Sequence, residues 1–246
     1  MSETGTNRWI DKVQKLLNLA EDKGASPEEA EAFAAKAEEL MIRHAIDAAM
    51  LQELGGKKTD VIVQKRIGFG GIFSTADRSL ANRVGEAFGF KVLQSKAGPK
   101  HYAIWVGFES ETRDAEILVA SLLIQSRRAL EPQATMWRAR GCDKQELYVL
   151  RRSFIDAFGS AAAKRVAESR RQITAEVADK DNRLLPVLAS REQLVQAEYE
   201  AMFPNVRPGR AVSRRYSYAG AVAGAEAGAK ADINSKKLGV RKQLES

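Results

Sequence analysis

The chain has 246 residues, 44% of them hydrophobic and 29% charged, which is enough apolar material for one large or two small packed domains. No apolar run approaches the roughly 18 residues that a membrane span requires. Its single cysteine, Cys142, excludes an internal disulfide and agrees with a reducing compartment.

The formal net charge of +7 is unevenly placed. Residues 1–126 carry 16 Lys+Arg against 18 Asp+Glu, whereas residues 127–246 carry 23 against 14, so the whole surplus lies in the second half. Such asymmetry points to an anionic partner there, nucleic acid first and an acidic protein second, against the plainer alternative of solvating charge on long helices. The opening "MSETGTNRWIDKV" lacks a basic segment followed by an apolar stretch, so no secretory signal is expected and the cytoplasm is the expected address.

In chain order, Trp9, Val13, Leu16, Leu17 and Ala20 recur at helical spacing. A turn at Lys23 and Gly24 comes next. Ser26, Pro27 and Glu29 then form the capping-box start of a second helix, whose stripe is Ala30, Phe33, Ala34, Ala37, Leu40, Met41 and His44. A helical hairpin over residues 1–55 is expected. Its pattern, K-L-L-x-L-A, a short turn, then E-A-E-A-x-x-A-x-K-A-x-E-L-M over roughly residues 8–48, resembles the N-terminal module of the domain of unknown function 2786 family of bacteria and phages. The stretches "TRDAEILVASLLIQSRRAL", "RRSFIDAFGSAAAKRV" and "AGAEAGAKADI" are similar to segments C-terminal to that module in other members. The resemblance implies a phage or mobile-element origin and carries no activity, cofactor or catalytic residue to transfer.

Beyond "GGKKTD" the period changes. "DVIVQKRI" alternates as a half-buried strand, and "GFGGIF" reads as a turn or bulge, lacking both G-x-G-x-x-G and G-K-[ST]. Ser74 is expected to cap a helix through Phe88 that Gly89 stops. Strands "FKVLQSK" and "HYAIWVGF" come next, around Gly98 and Pro99, and then a helix from Glu111 to about Leu130. The order predicts a βαββα layer over 59–131, with helices on one face of a mainly antiparallel sheet.

The remainder, 132–235, reads as helical. One helix carries the stripe Leu147, Leu150, Phe154, Ala157, Phe158, Ala161 and Val166, and another is expected from Ser190 as its cap to Pro204. The fold class is therefore α+β, predominantly helical, closed by a basic tail over 236–246. In "YAGAVAGAEAGAKADI", Gly220, Gly224 and Gly228 lie nearly in line on a helix, with Ala219, Ala223, Ala227 and Ala231 beside them. Each glycine in a solvated helix costs about 0.8–1 kcal/mol relative to alanine, so the strip is expected to lie against something. The preferred partner is the same chain's helix around Gly159–Ala163; the alternative is a phosphate backbone or a partner helix.

Chemistry-bearing constellations are sparse. His44 and His101 stand 57 positions apart, and with one cysteine no zinc-ligand spacing exists. Cys142 is expected to be an ordinary thiol, and no pair of carboxylates is singled out as acid and base. No catalytic residue, metal or cofactor is assigned. What remains is a series of arginine-rich pairs: Arg127 and Arg128, Arg138 and Arg140, Arg151 and Arg152, Lys164 and Arg165, Arg170 and Arg171, then Arg207, Arg210, Arg214 and Arg215. The guanidinium fork suits phosphate oxygens, so these are the candidate nucleic-acid-binding residues. Trp137 is expected in the core, while Tyr216 and Tyr218 are placed to stack on bases. The leading expectation is a non-enzymatic nucleic-acid-binding accessory protein working through backbone contacts. A protein-docking module and a hydrolase remnant (nuclease or peptidase) stand as alternatives.

Overall fold

The computed structural model describes residues 60–180, 184–206 and 215–233, together with the helical positions Lys15, Leu16, Leu19, Glu29, Phe33 and Lys36. The expected N-terminal hairpin otherwise lies outside the described residues, as does the tail. The elements are β1 (Ile62–Phe69), α1 (Ser74–Ala87), β2 (Lys91–Ala97), β3 (Lys100–Phe108), α2 (Glu109–Ala139), α3 (Lys144–Lys180), α4 (Leu184–Met202) and α5 (Tyr218–Ala229). The protein is predominantly helical α+β, with a three-stranded antiparallel sheet of order β1-β3-β2.

β3 is central because it is the most apolar strand. Trp105 pairs across with Lys65 on one side and Val92 on the other, and its ring is fully buried beneath α1. There, Gly85 is needed for volume: a Cβ on it would come within 2.8 Å of the Trp105 indole nitrogen. Leu80, Ala81 and Val84 of α1, Leu118 and Leu122 of α2, and Phe154, Ile155 and Phe158 of α3 continue the same core away from the sheet. The sheet's opposite face is not bare, contrary to the one-faced layer expected. Val195 of α4 joins Val106 and Phe108 in a second small core, with Tyr199, Met202 and Phe203 packed around it.

Three helix boundaries differ from the sequence expectation. α1 has Phe73 at its N-cap with no side-chain capping bond, and Ser74 is a buried helical residue. α2 runs past Leu130 and through Pro132 to Ala139, because Ala134 and Trp137 bury against the core and offset the hydrogen bond that proline removes. α4 begins at Leu184, with Pro186 in its first turn where the missing N–H costs nothing, so Ser190 is interior instead of a cap.

α5 lies against α3 backbone to backbone. A methyl placed on Gly220, Gly224 or Gly228 would overlap the carbonyl oxygen of Leu150, Phe154 or Phe158 respectively. Both series advance by four residues in the same direction, so the helices run parallel and in register. The partner helix is the one expected, but the contact begins two turns earlier than "FGSAAAKRV". Gly159 itself faces Leu80 of α1, whose Cβ would lie 2.9 Å from an added methyl.

Both ends of α5 are tied down. Ser217 caps it, accepting from the Gly220 amide at 3.3 Å, while the Ser217 amide donates to the buried Ser153 hydroxyl at 2.9 Å. At the far end Arg165 donates to the Ala231 carbonyl. Gln125 of α2 brackets Asp232, donating to its carbonyl and accepting from its amide, each at 2.7 Å.

One ion pair joins α1 to α2. Arg127 donates to both carboxylate oxygens of Asp77, at 2.6 and 2.7 Å, and lies over the Phe73 ring. Burial pushes the Asp77 carboxyl above the ordinary 3.8, and the Arg127 charge and hydrogen bonds offset only part of that. The folded protein therefore holds this proton more tightly than the unfolded chain. The contribution of the site to stability is full in acid and is lost as pH rises through the folded pKa.

Two outcomes are expected. Gly224→Ala should destabilise the protein by about 1–3 kcal/mol in urea unfolding, although the same change in a solvated helix stabilises. Ala225→Gly, on the exposed face of α5, should cost about 1 kcal/mol through lost helix propensity alone; a Gly224→Ala protein more stable than the native one would refute the close approach. Separately, the unfolding free energy of the native protein minus that of Asp77→Asn should fall as pH rises from below the ordinary 3.8 through the raised pKa of the folded protein. A difference that grows over that range would mean that Arg127 outweighs burial.

Candidate nucleic-acid interface

The N-terminal ends of the parallel helices α3 and α5 come together on one side of the molecule. Residues 215–217 cross α3 there as a short strap leading into α5. The strap is held by its backbone: the Arg152 guanidinium donates to the Arg215 carbonyl, and Ser153 receives the Ser217 amide. Ser217 is extended, at φ −107° and ψ 119°, and turns its hydroxyl inward to cap α5. The side chains of Tyr216 and Tyr218 stand 61% and 82% exposed on either side of it.

Tyr216 separates two depressions. The smaller, about 170 Å³, lies between α1 and α3 and is lined by Thr75, Arg78, Ser79, Arg152 and Asp156. The larger is an open groove of about 600 Å³ bounded by Cys142, Asp143, Glu146, Val149 and Arg215. The carboxylates in these walls are largely committed. Asp156 pairs with Arg83 at 2.8 Å. Asp143 accepts from the amides of Gln145 and Glu146 at 2.7 and 2.8 Å, and Glu146 accepts from the Asp143 amide at 3.0 Å, a reciprocal cap for α3. Arg78 and His101 meet at 3.2 Å between Nη1 and Nδ1.

The arginine series of the second half divides by what each member touches. Arg127 is committed to Asp77, Arg165 to the end of α5, and Arg170 to Glu111 at 2.8 Å while it lies over Phe88. Arg152 holds the strap and at the same time lines the smaller depression. Arg151 is half-buried beside it. Arg128, Arg140 and Arg215 are exposed, as are Arg138, 3.5 Å from Glu131, Lys164, 3.7 Å from Glu168, and Arg171, which donates to Ala167 within its own helix. Arg207, Arg210 and Arg214 lie outside the described residues. Consecutive helical residues are about 100° apart, and the pairs 127/128, 164/165 and 170/171 divide between a half-buried and an exposed member, whereas Arg151 and Arg152 are both half-buried and Arg138 and Arg140 both exposed. Trp137 is buried in the core.

Sequence reading missed Arg78 and Arg83, because they sit in the half of the chain whose net charge is negative. The available signal was their spacing in "ADRSLANRV", which puts both beside the core-facing stripe of α1. It also missed Arg191, which lies 3.3 Å over the Phe108 ring and pairs with Asp60 and Glu111.

Among the described residues no group of three His, Cys, Asp or Glu side chains is placed to hold a metal ion. Among those residues, too, no helix is long and apolar enough to cross a membrane. Cys142 is a free, half-buried thiol at the rim of the larger groove.

No curated protein and no solved structure matches this chain. Residues 8–48 match the family described as "Protein of unknown function (DUF2786)", so the N-terminal stretch carries the module that its K-L-L-x-L-A and E-A-E-A patterns resemble.

Proposed function

We propose that the protein is a nucleic-acid-binding accessory protein that contacts the phosphate backbone through the surface around the strap and carries out no chemistry on it. The observation that supports this reading is the convergence of three cations from distant parts of the chain. Arg78 of α1 and Arg152 of α3 line one depression, and Arg215 stands across Tyr216 from it. Guanidinium groups present several donors in a plane and shed water more readily than ammonium groups, which fits them to phosphate oxygens. The exposed Arg128, Arg138, Arg140, Lys164 and Arg171 add long-range attraction, which is screened over about 8–10 Å at ordinary salt.

Such binding releases counterions, so affinity must fall linearly with the logarithm of salt concentration. Fluorescence anisotropy of labelled oligonucleotides from about 50 to about 200 mM salt should show this decline. Arg215→Gln should weaken binding and reduce the slope by about 0.7–0.9. Arg113→Gln, at an exposed position near the start of α2, should leave both unchanged. An oligonucleotide that fails to bind at the lowest salt, or an affinity that salt does not move, would remove the proposal.

A further inference from the structure

We infer that the strap is a stacking platform for an unpaired stretch of nucleic acid, with Tyr216 and Tyr218 receiving bases and the Arg78–Arg152 depression receiving a phosphate. This rests on the nucleic-acid reading above and names its ligand class.

Exposure and backbone geometry carry the inference together. Two neighbouring aromatic side chains left 61% and 82% in water gain little from the core. Their exposure comes from Ser217 turning inward, since alternate residues of an extended segment share a side. The backbone positions on either side of one extended residue, here Ser217, are about 6.6 Å apart, close to twice the ~3.4 Å thickness of a stacked base. The platform is also fixed in advance. Ser153 and Arg152 hold the strap backbone, and the glycine contact holds the helix that it feeds, so binding has little backbone left to order.

The surroundings favour an unpaired strand over a duplex. Aromatic faces stack only on bases whose own faces are open, and the paired, stacked bases of a duplex do not offer theirs. The depression of about 170 Å³ on one side of Tyr216 is lined by the Arg78 and Arg152 side chains, each with several N–H groups, and by Thr75 and Ser79, donors that a phosphate takes, beside an Asp156 carboxylate that Arg83 neutralises. The open groove of about 600 Å³ on the other side has the size of a small-ligand cleft, with Val149 as an apolar wall.

The test compares three labelled probes of equal length: oligothymidylate, the same backbone without bases, and a duplex. Oligothymidylate should bind at least about tenfold more tightly than the abasic strand, because only it can stack. Tyr216→Ala and Tyr218→Ala should each lower oligothymidylate affinity by about five- to 150-fold, the effect of losing one stacked base, and leave the abasic strand and the duplex unchanged. Phenylalanine at either position should restore binding, which a mere loss of tyrosine hydroxyl contacts would not allow. If the alanine variants bind oligothymidylate like the native protein while Arg215→Gln still weakens it, the platform is refuted and the phosphate reading stands. Polyglutamate that displaces oligothymidylate with equal potency, with the tyrosine variants neutral, would also refute the platform and assign the surface to acidic proteins. Failure of all three probes to bind at low salt would refute both readings.

Discussion

The backbone contact between α3 and α5 is the constraint on which the rest of this architecture turns. Three glycines placed four residues apart let one helix lie against the carbonyl oxygens of another, closer than any side chain permits. At that separation the attraction comes from many dispersion contacts and from weak Cα–H···O contacts between the helices. It must offset about 0.8–1 kcal/mol of lost helix propensity at each glycine, which explains why the segment is helical here and would be poorly so by itself. The ties at its two ends answer the same need. A helix of 12 residues is short for independent stability, and Ser217, Ser153, Arg165 and Gln125 supply partners to the backbone groups at and just beyond its ends.

That contact has a consequence for the surface. Because α5 runs parallel to α3, the chain must return to the N-terminal side of α3 before α5 begins, and the strap is the end of that return. Its position beside α1 brings Arg215 and Tyr216 next to Arg78 and Arg152, residues separated by more than 60 positions in sequence. The candidate interface is thus a product of helix packing. Changes in the glycine stripe would be felt at the surface even though no glycine touches it.

Arginine has two roles in this protein. Arg127, Arg165, Arg170 and Arg191 close the structure: each satisfies a carboxylate or a carbonyl, and three of them also cover an aromatic ring. The apolar stem and planar head let one residue pack and pair at once, which lysine does less well. Cations committed in this way contribute less to the field outside than exposed ones such as Arg128, Arg140 and Arg215. A net charge read from the sequence therefore overstates what a polyanion would meet, and the overstatement is largest where arginines come in consecutive pairs.

Much of the fold was legible in the sequence. Alternation marked the strands, three- and four-residue spacing marked α1, α2 and α3, and the glycine register announced a close helix contact and its partner helix. These signals are local, since they arise from side-chain periodicity and backbone preference within one element. Tertiary structure decided everything that depends on competition between elements. Burial of Ala134 and Trp137 carried α2 through Pro132, and the second small core placed α4 across the face of the sheet expected to be open. Packing likewise chose which cation of the pairs 127/128, 164/165 and 170/171 turned inward, and joined Arg78 to a site that charge counting assigned to the other half of the chain. Local sequence sets what each segment prefers; which preferences survive is set by the free energy of burying them together.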